Sequence, residues 1–249
     1  MSSFTQIARK SLFAAGLSIG ASAAMALPIT LPTSLIDAEA TFRFNADAAD
    51  LMSSMGIGVS ALGNTVDDGS HWNFMMPVTQ VSLNVSLFPA SIKPISGAAS
   101  GSGLLIHGEG GALSLANFGL DFKRNVLTAD LGTIDGKITK TFDVFNFKVT
   151  EDLHVSTKGG LSMKMQLDEM MLTQQAQSAF TWSLALDELA QSALPYLNFG
   201  SLSVDINPSL RFGVSSKPLV SPVPEASGLG MLAAGMLAIG AITRRRMRA

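Results

Sequence analysis

Alternation of apolar and small polar residues is the strongest pattern in the sequence, and its period of two is typical of β-strands with one buried face. Three runs show it most clearly, at residues 80–87, 161–167 and 202–206. Weaker runs occur at residues 40–44, 116–122, 127–131 and 210–214. The repetition of one period along the chain predicts a fold built mainly of strands.

Turn-forming residues separate these runs and predict hairpins. They lie at residues 67–69, 96–103, 123–125, 135–136 and 158–160. The apolar phase changes near Val144, which predicts a bulge there and an edge of the sheet. Two stretches, residues 46–55 and 174–194, instead have the spacing and composition of short helices. Met163 and Met165 lie on an alternating apolar face and are predicted to be core residues, not metal ligands.

These patterns together predict an all-β fold: a single antiparallel β domain over residues 27–220, either a sandwich or an open barrel, with short helices. The chain is 47% hydrophobic, which excludes an intrinsically disordered protein. It has no cysteine, so no disulfide can stabilise it. We therefore expect its stability to come from a hydrophobic core.

The first 26 residues are typical of a secretory signal peptide. Arg9 and Lys10 precede an apolar stretch of small residues, and Ala24 and Ala26 form an A-x-A cleavage site. The stretch is shorter than the ~20 residues that span a membrane. We expect cleavage after Ala26 and export of the mature protein across the inner membrane; a permanent N-terminal anchor is the alternative.

The C-terminal tail, residues 221–249, combines a proline-rich segment, an apolar run and a basic end. The apolar run, residues 228–242, is predicted to form a transmembrane helix that is only just long enough to span. The basic residues after it predict that this end stays in the cytoplasm and that the preceding domain lies outside. These membrane-stop residues are Arg244, Arg245, Arg246 and Arg248.

This tail resembles the PEP-CTERM sorting signal of Gram-negative bacteria. Val223, Pro224 and Glu225 match its motif, and Ala226 stands where the family has a second proline. The resemblance implies recognition by an exosortase-like membrane transpeptidase, transient anchoring in the inner membrane, and delivery to the cell surface or extracellular matrix. Such proteins are typical of bacteria that make exopolysaccharide, which is therefore an expected partner. A plain C-terminal membrane anchor is the alternative.

The charge of the domain excludes nucleic acid as a partner. Residues 27–223 carry 11 basic and 18 acidic residues, a net charge of −7. The basic residues form no patch interleaved with aromatic residues, which nucleic-acid binding favours. The arginines at the C-terminus are explained by membrane topology.

No catalytic motif occurs in the sequence: it has no nucleophile elbow, phosphate-binding loop or zinc-binding helix. His71, His107 and His154 are too scattered for a metal site. Glu151 and Asp152 are adjacent, so in a strand they would point to opposite faces, and we expect a solvated loop there. The protein is accordingly predicted not to be an enzyme and to carry no cofactor; an uncharacterised hydrolase is the alternative.

Two acidic segments, residues 67–69 and 130–136, are candidate calcium loops in an acidic exported protein. Neither has the D-x-D-x-D-G spacing or the closing glutamate of a calcium-binding loop. We expect both to be ordinary turns without a metal.

A second resemblance lies in the middle of the chain. Residues 107–115, HGEGGALSL, followed by residues 127–131, LTADL, look like part of the HtaA-type haem-uptake β-domain. The resemblance implies haem binding through a tyrosine, and Tyr196, the single tyrosine of this sequence, lies outside the matching segments. The sequence therefore favours a non-catalytic structural or adhesive surface protein, with a domain that binds haem or another small ligand as the alternative.

The tail makes a testable prediction. Replacing Glu225 by alanine should leave membrane insertion intact, because insertion depends on the apolar run, but should block processing, so that precursor accumulates in the membrane. Replacing the four arginines by neutral residues should instead weaken retention of the tail, because the positive stop is lost. Immunoblots of membrane and released fractions measure both effects, and wild-type release of both variants would contradict the sorting hypothesis.

Overall fold

The computed structural model describes residues 27–32, 37–87, 90–156, 162–207, 209 and 213–220, and the structural statements below concern these residues. The predicted signal peptide with Ala24 and Ala26, and the whole tail with its sorting motif, apolar run and arginines, lie outside them. None of the helices in the described ranges is long and apolar enough to cross a membrane.

The described chain folds into one antiparallel sheet with three short helices, so the prediction of an all-β fold is confirmed. The strands lie in the order β1-β6-β7-β8-β9-β10-β11-β12-β2-β5-β4, and β3 pairs with β7 outside this row. In chain order they are β1 (Leu27–Pro32), β2 (Asp37–Phe44), β3 (Gly58–Gly63), β4 (Val66–Asp67), β5 (Asn73–Pro77), β6 (Gln80–Leu87), β7 (Ala90–Gly108), β8 (Gly111–Asp121), β9 (Val126–Thr133), β10 (Ile138–Ser156), β11 (Ser162–Leu172) and β12 (Gly200–Asn207).

The sheet curves into an open half-barrel. Of the two expected architectures, a sandwich and an open barrel, the structure is closer to the open barrel. The chain passes from β5, on one flank of the sheet, directly into β6, on the other flank. Two backbone hydrogen bonds hold this connection: Val78 N donates to Ala38 O at 2.9 Å, and Thr79 N donates to Ala98 O at 2.7 Å. These bonds join β2 and β7, which are far apart in the strand order, so the inner faces of the two flanks approach each other.

The helices form where the sequence predicts them: α1 (Ala46–Ser54), α2 (Gln174–Leu184) and α3 (Glu188–Ala193), with a 3₁₀ turn at Leu194–Tyr196. Each helix begins after a residue whose side-chain oxygen accepts a hydrogen bond from a backbone N–H of the first turn. These N-caps are Asn45, Thr173 and Asp187. Phe180 of α2 is buried against Phe199, with ring centroids 6.2 Å apart.

A row of bulges crosses the sheet from β7 to β10. The register shifts between Ala99 and Gly103 in β7, between Ala116 and Gly119 in β8, and between Thr139 and Phe142 in β10. Left-handed residues lie within all three shifts: Gly101 (φ 81°), Asn117 (φ 54°) and Thr141 (φ 51°). Because a bulge bends its strand and increases local twist, a row of bulges creases this part of the sheet along one line.

A chain of side-chain hydrogen bonds follows this crease. The Asn117 amide accepts from Gly101 N at 3.0 Å and donates to the Asp130 carboxylate at 2.9 Å. The other Asp130 oxygen accepts from Thr141 N at 3.0 Å. These bonds give partners to backbone N–H groups that the bulges remove from the ladder.

Asn117 also holds a segment near the end of the described chain, residues 215–219, which we call the strap. Asn117 accepts from Leu219 N at 2.7 Å and donates to Leu219 O at 2.8 Å. Asn64 donates to Ser215 O at 2.9 Å. A Cβ atom added at Gly103 would lie 3.2 Å from the Leu219 side chain, so the strap packs closely on β7.

Three local predictions are wrong. Residues 96–103, predicted as a turn, run inside β7, because the glycines there form a bulge and the strand continues beyond it. The phase change near Val144 is a register shift, as predicted, but β10 lies between β9 and β11 and is not an edge. Glu151 and Asp152 are exposed residues of β10 and do not form a loop, because the strand extends to Ser156.

The predicted turn at residues 158–160 and residues 210–212 of the last predicted strand lie outside the described residues.

The crease predicts a specific loss of stability. Asn117→Ala should lower the free energy of unfolding by about 3 kcal/mol, because it removes partners from partly buried backbone groups and places alanine at positive φ. Asn125→Ala is the matched control, since Asn125 has the same φ of 54° in an exposed turn. It should cost only about 1 kcal/mol. Urea unfolding measures both, and equal losses would contradict the proposed role of the Asn117 side chain.

Candidate functional site

An apolar groove follows the inner face of the half-barrel, between its two flanks. It forms because the alternating residues of each strand turn their apolar side inward. Nine of the twelve strands contribute, from β2 and β5 on one flank to β6 and β7 on the other. Its main side chains are Ala40, Phe42, Met76, Val81, Leu83, Phe118, Leu120, Phe122, Phe145, Leu153, Met165, Leu202, Val204 and Ile206.

The floor of the groove is aromatic. The rings of Phe42 and Phe145, which line it, lie 5.8 Å apart between centroids, and Phe199 packs behind them, 5.5 Å from Phe145. All three side chains are buried. Aromatic pairs at such separations stabilise a core beyond the area that they bury, so the floor is a rigid surface.

The mouth of the groove is formed by residues that are only half-buried: Pro94, Leu120, Phe122 and Leu153. Phe122 is fixed by an edge-on contact with Phe147, with ring centroids 5.7 Å apart. Solvent therefore reaches the groove between the end of β8 and the outer part of β10.

The groove is long but narrow. Its empty space amounts to about 830 Å³, including solvent at the open mouth. Only about 50 Å³ of this can be reached by the centre of a water molecule. Side chains from the two flanks are therefore close to contact, and a thick guest would have to push them apart.

The chemistry of the lining is almost entirely apolar. Ser96 is the one lining residue with a hydrogen-bonding side-chain group, apart from the weakly accepting thioethers of Met76 and Met165. A polar group inside the groove would lose its water without gaining a partner, which is unfavourable by about 1–3 kcal/mol. The groove can thus hold hydrocarbon but has no arrangement for acid–base or nucleophilic chemistry.

A charged turn supports the mouth of the groove. Asp121, between the lining residues Leu120 and Phe122, accepts from Arg124 Nε at 2.7 Å, and Arg124 Nη1 donates to Asp143 at 2.7 Å. Hydrogen bonds from the Arg124 side chain and backbone lower the pKa of Asp121 below its ordinary value. Because the folded-state pKa is lowered, this turn is stabilised at neutral pH and loses that stabilisation as the pH falls through the pKa of Asp121.

The histidines and the tyrosine singled out from the sequence lie away from this groove. His71 Nδ1 is 2.7 Å from Asp67, His107 Nε2 is 3.2 Å from Ser60 Oγ, and His154 is exposed on β10. Tyr196 is 85% exposed on the 3₁₀ turn. Across the described ranges there is no group of three or more acidic or histidine residues placed to hold a metal. Met163 and Met165 are buried core residues, as predicted.

The two acidic segments are turns or strand ends held by their own hydrogen bonds. Asp67 and Asp68 accept from backbone N–H groups of Gly69, Ser70 and His71. Asp135 accepts from the Thr133 hydroxyl, and this bond lowers the pKa of Asp135. Asp130 belongs to the hydrogen-bonded crease.

A second cleft lies at the opposite end of the β7–β8 hairpin, where the segment with the haem-uptake resemblance folds. It is lined by residues of α1, the hairpin tip and the α2–α3 connection, including Met55, Glu109 and Asp187. The hairpin tip approaches α2 so closely that a Cβ atom at Gly111 would lie 2.2 Å from Ser183 O. About 300 Å³ of this cleft can be reached by the centre of a water molecule, so it is wider and wetter than the groove.

Sequence reasoning did not find the groove. Many lining residues lie in runs predicted as strands with one apolar face, but residues 96–99 were predicted as a turn. The groove also depends on how strands distant in sequence curve towards one another. The glycine and alanine residues at 97–99 were the one local signal, because small residues on an inner face leave space.

Comparisons with known proteins gave likenesses of structure alone. The sequence matches no family model and no curated protein. The C-terminal domain of HtaA from Corynebacterium glutamicum is 18% identical with a TM-score of 0.44, over 70% of this chain and 99% of that one. The haem-binding protein HtaB from Corynebacterium glutamicum is 8% identical with a TM-score of 0.42, over 74% of this chain and 98% of that one.

The charged turn predicts a measurable change in ionisation. Arg124→Gln should raise the pKa of Asp121 towards its ordinary value, because the guanidinium that stabilises the carboxylate is gone. The pKa of Asp135 should not change, since Thr133 and not Arg124 is its main partner. Carboxyl ¹³C NMR titration follows both groups. An unchanged Asp121, or an equal shift at Asp135, would contradict this account of the turn.

Proposed function

We propose that the β domain binds a small apolar molecule in the groove on its inner face. One observation carries the proposal: a groove that opens to solvent is lined almost completely by apolar side chains. Soluble domains usually bury such a surface, and a continuous apolar cleft is the most frequent form of a ligand site.

The energetics favour a guest without polar groups in its buried part. Burial of apolar surface stabilises a complex by about 25 cal/mol per Å². The lining offers no charged group to orient a polar guest, and the side chain of Ser96, its one hydroxyl residue, faces the other side of β7. Binding would rest on the hydrophobic effect and on contact with the walls.

The resemblance found in the sequence suggests haem as an alternative ligand, but the groove fits haem poorly. Haem iron needs an axial ligand such as histidine, tyrosine, cysteinate or methionine. The lining contains no histidine or tyrosine, and its thioethers, Met76 and Met165, are buried between the strands. These residues favour an apolar guest without a metal.

The tail supports a second proposal, which concerns delivery. Val223, Pro224 and Glu225, followed by an apolar run and four arginines, have the order of an exosortase-recognised signal. We propose that the domain is exported, held briefly in the inner membrane and passed to the cell surface or matrix, where exopolysaccharide is the expected neighbour. A structural or adhesive role there is compatible with a domain that binds a small molecule.

A fluorescence experiment tests the binding proposal. The full chain would be held in micelles of a fluorinated surfactant, whose tails mix poorly with hydrocarbon, and titrated with the neutral fluorophore N-phenyl-1-naphthylamine. The fluorophore should brighten as it enters the groove. Gly97→Leu should weaken binding by about tenfold, about 1.4 kcal/mol, because the new side chain occupies the groove beside Leu120.

Gly97 is a suitable position because a Cβ atom there would lie 3.7 Å from the Leu120 side chain, an ordinary contact. Asn84→Leu is the control, since Asn84 alternates with Leu83 of the lining and faces the other side of β6. It should leave binding unchanged. Circular dichroism establishes that both variants fold. Absence of fluorophore binding, or equal effects of the two variants, would refute the proposal.

A further inference from the structure

We propose that the guest of the groove is an extended hydrocarbon chain, such as an acyl chain, which enters lengthwise and leaves its polar head at the mouth. This inference rests on the proposed function and narrows it to one class of ligand. Its basis is the shape of the groove, the position of its small residues and the lack of polar partners along its length.

The shape favours a slender guest. The groove has about 830 Å³ of empty space, but the centre of a water molecule reaches only about 50 Å³ of it. Among apolar guests a chain of methylene groups is the most slender, so it would separate the two flanks least. A ring system as broad as a porphyrin would need a much larger separation.

The small residues give the chain its path. Gly97 and Ala99 of β7 lie on the lining, where they pair with Leu120 and Phe118 of β8 on the inner face. These positions lack long side chains where their neighbours are Leu, Phe and Val, so they leave a shallow channel along the wall. The channel leads from the half-buried Leu120 at the mouth towards the buried floor.

Because the groove lacks hydrogen-bonding groups, the polar head group of the guest lies outside it. Ser96 is the one lining residue with a hydroxyl, but it pairs with Ser82, whereas its neighbour Gly97 pairs with Val81 of the lining, so the Ser96 side chain faces away from the groove. A carboxylate or phosphate deeper in the groove would be buried without a hydrogen-bond donor, which is strongly unfavourable. The head group therefore stays at the mouth, in contact with water.

The strands set the length of chain that can be buried. On β12 the lining extends from Leu202 to Ile206. Four residues of extended strand cover about 13 Å, the length of roughly ten methylene groups in an extended chain. Methylene groups beyond this number would remain in solvent.

A chain-length series tests the inference on the wild-type full chain in fluorinated micelles. Straight-chain fatty acids of increasing length would displace bound N-phenyl-1-naphthylamine. Affinity should rise about fourfold per methylene, since about 0.8 kcal/mol is gained for each one buried, and should level off once roughly ten are buried. Gly97→Leu should weaken the series, and Asn84→Leu should not.

The outcomes separate the two proposals. If the fluorophore does not bind, the proposed function itself fails. If the fluorophore binds but affinity is independent of chain length, or haem displaces it as well as the ten-carbon acid does and gives a Soret band, only the hydrocarbon-chain inference is overturned. If only free fatty acid displaces the fluorophore, the guest is a free fatty acid. If phospholipid vesicles also displace the fluorophore, the guest is a membrane lipid.

Discussion

The shape of this domain depends on the hydrogen bonds of Asn117. This residue occupies a bulge in β8, and its amide group contacts the bulge of β7, the carboxylate of Asp130 in β9 and the strap. The Asp130 carboxylate in turn accepts a hydrogen bond from Thr141 N in the bulge of β10. The side chains of Asn117 and Asp130 thus give hydrogen-bond partners to backbone groups that the three bulges leave unpaired. The sheet can therefore bend along this line without the loss of stability that unpaired buried groups would cause.

The groove follows from that bend. A flat sheet of twelve strands would expose its whole apolar face, whereas a creased sheet brings β2 and β12 opposite β6 and β7. The link through Val78 and Thr79 then holds the flanks together at one side. The other side stays open at Phe122 and Leu153, and this combination produces an apolar space that solvent can reach.

The sequence predicted the elements better than their arrangement. Period-two runs identified β6, β11 and β12 because each has one buried face, and the helices were predicted from the spacing and composition of residues 46–55 and 174–194. The glycine-rich residues 96–103 were predicted as a turn because glycine favours a bulge and a turn for the same reason, its freedom at positive φ. The groove could not be predicted, since its walls come from nine strands whose side chains look in sequence like an ordinary core. The partner of Asn117 in the strap lies 102 residues away, a separation that no local pattern encodes.

The strap has a mechanical consequence. The chain continues from Val220 towards the tail, and the strap before it is fastened to the middle of the sheet, at Asn117 of β8, and not to an edge strand. A pull on the tail would first strain two hydrogen bonds of Leu219 with one amide group, which must break together. An edge strand, in contrast, can be peeled away one bond at a time. Tension would therefore pass through Asn117 into the crease in the middle of the sheet before it reached β12, the strand that precedes the strap in the chain.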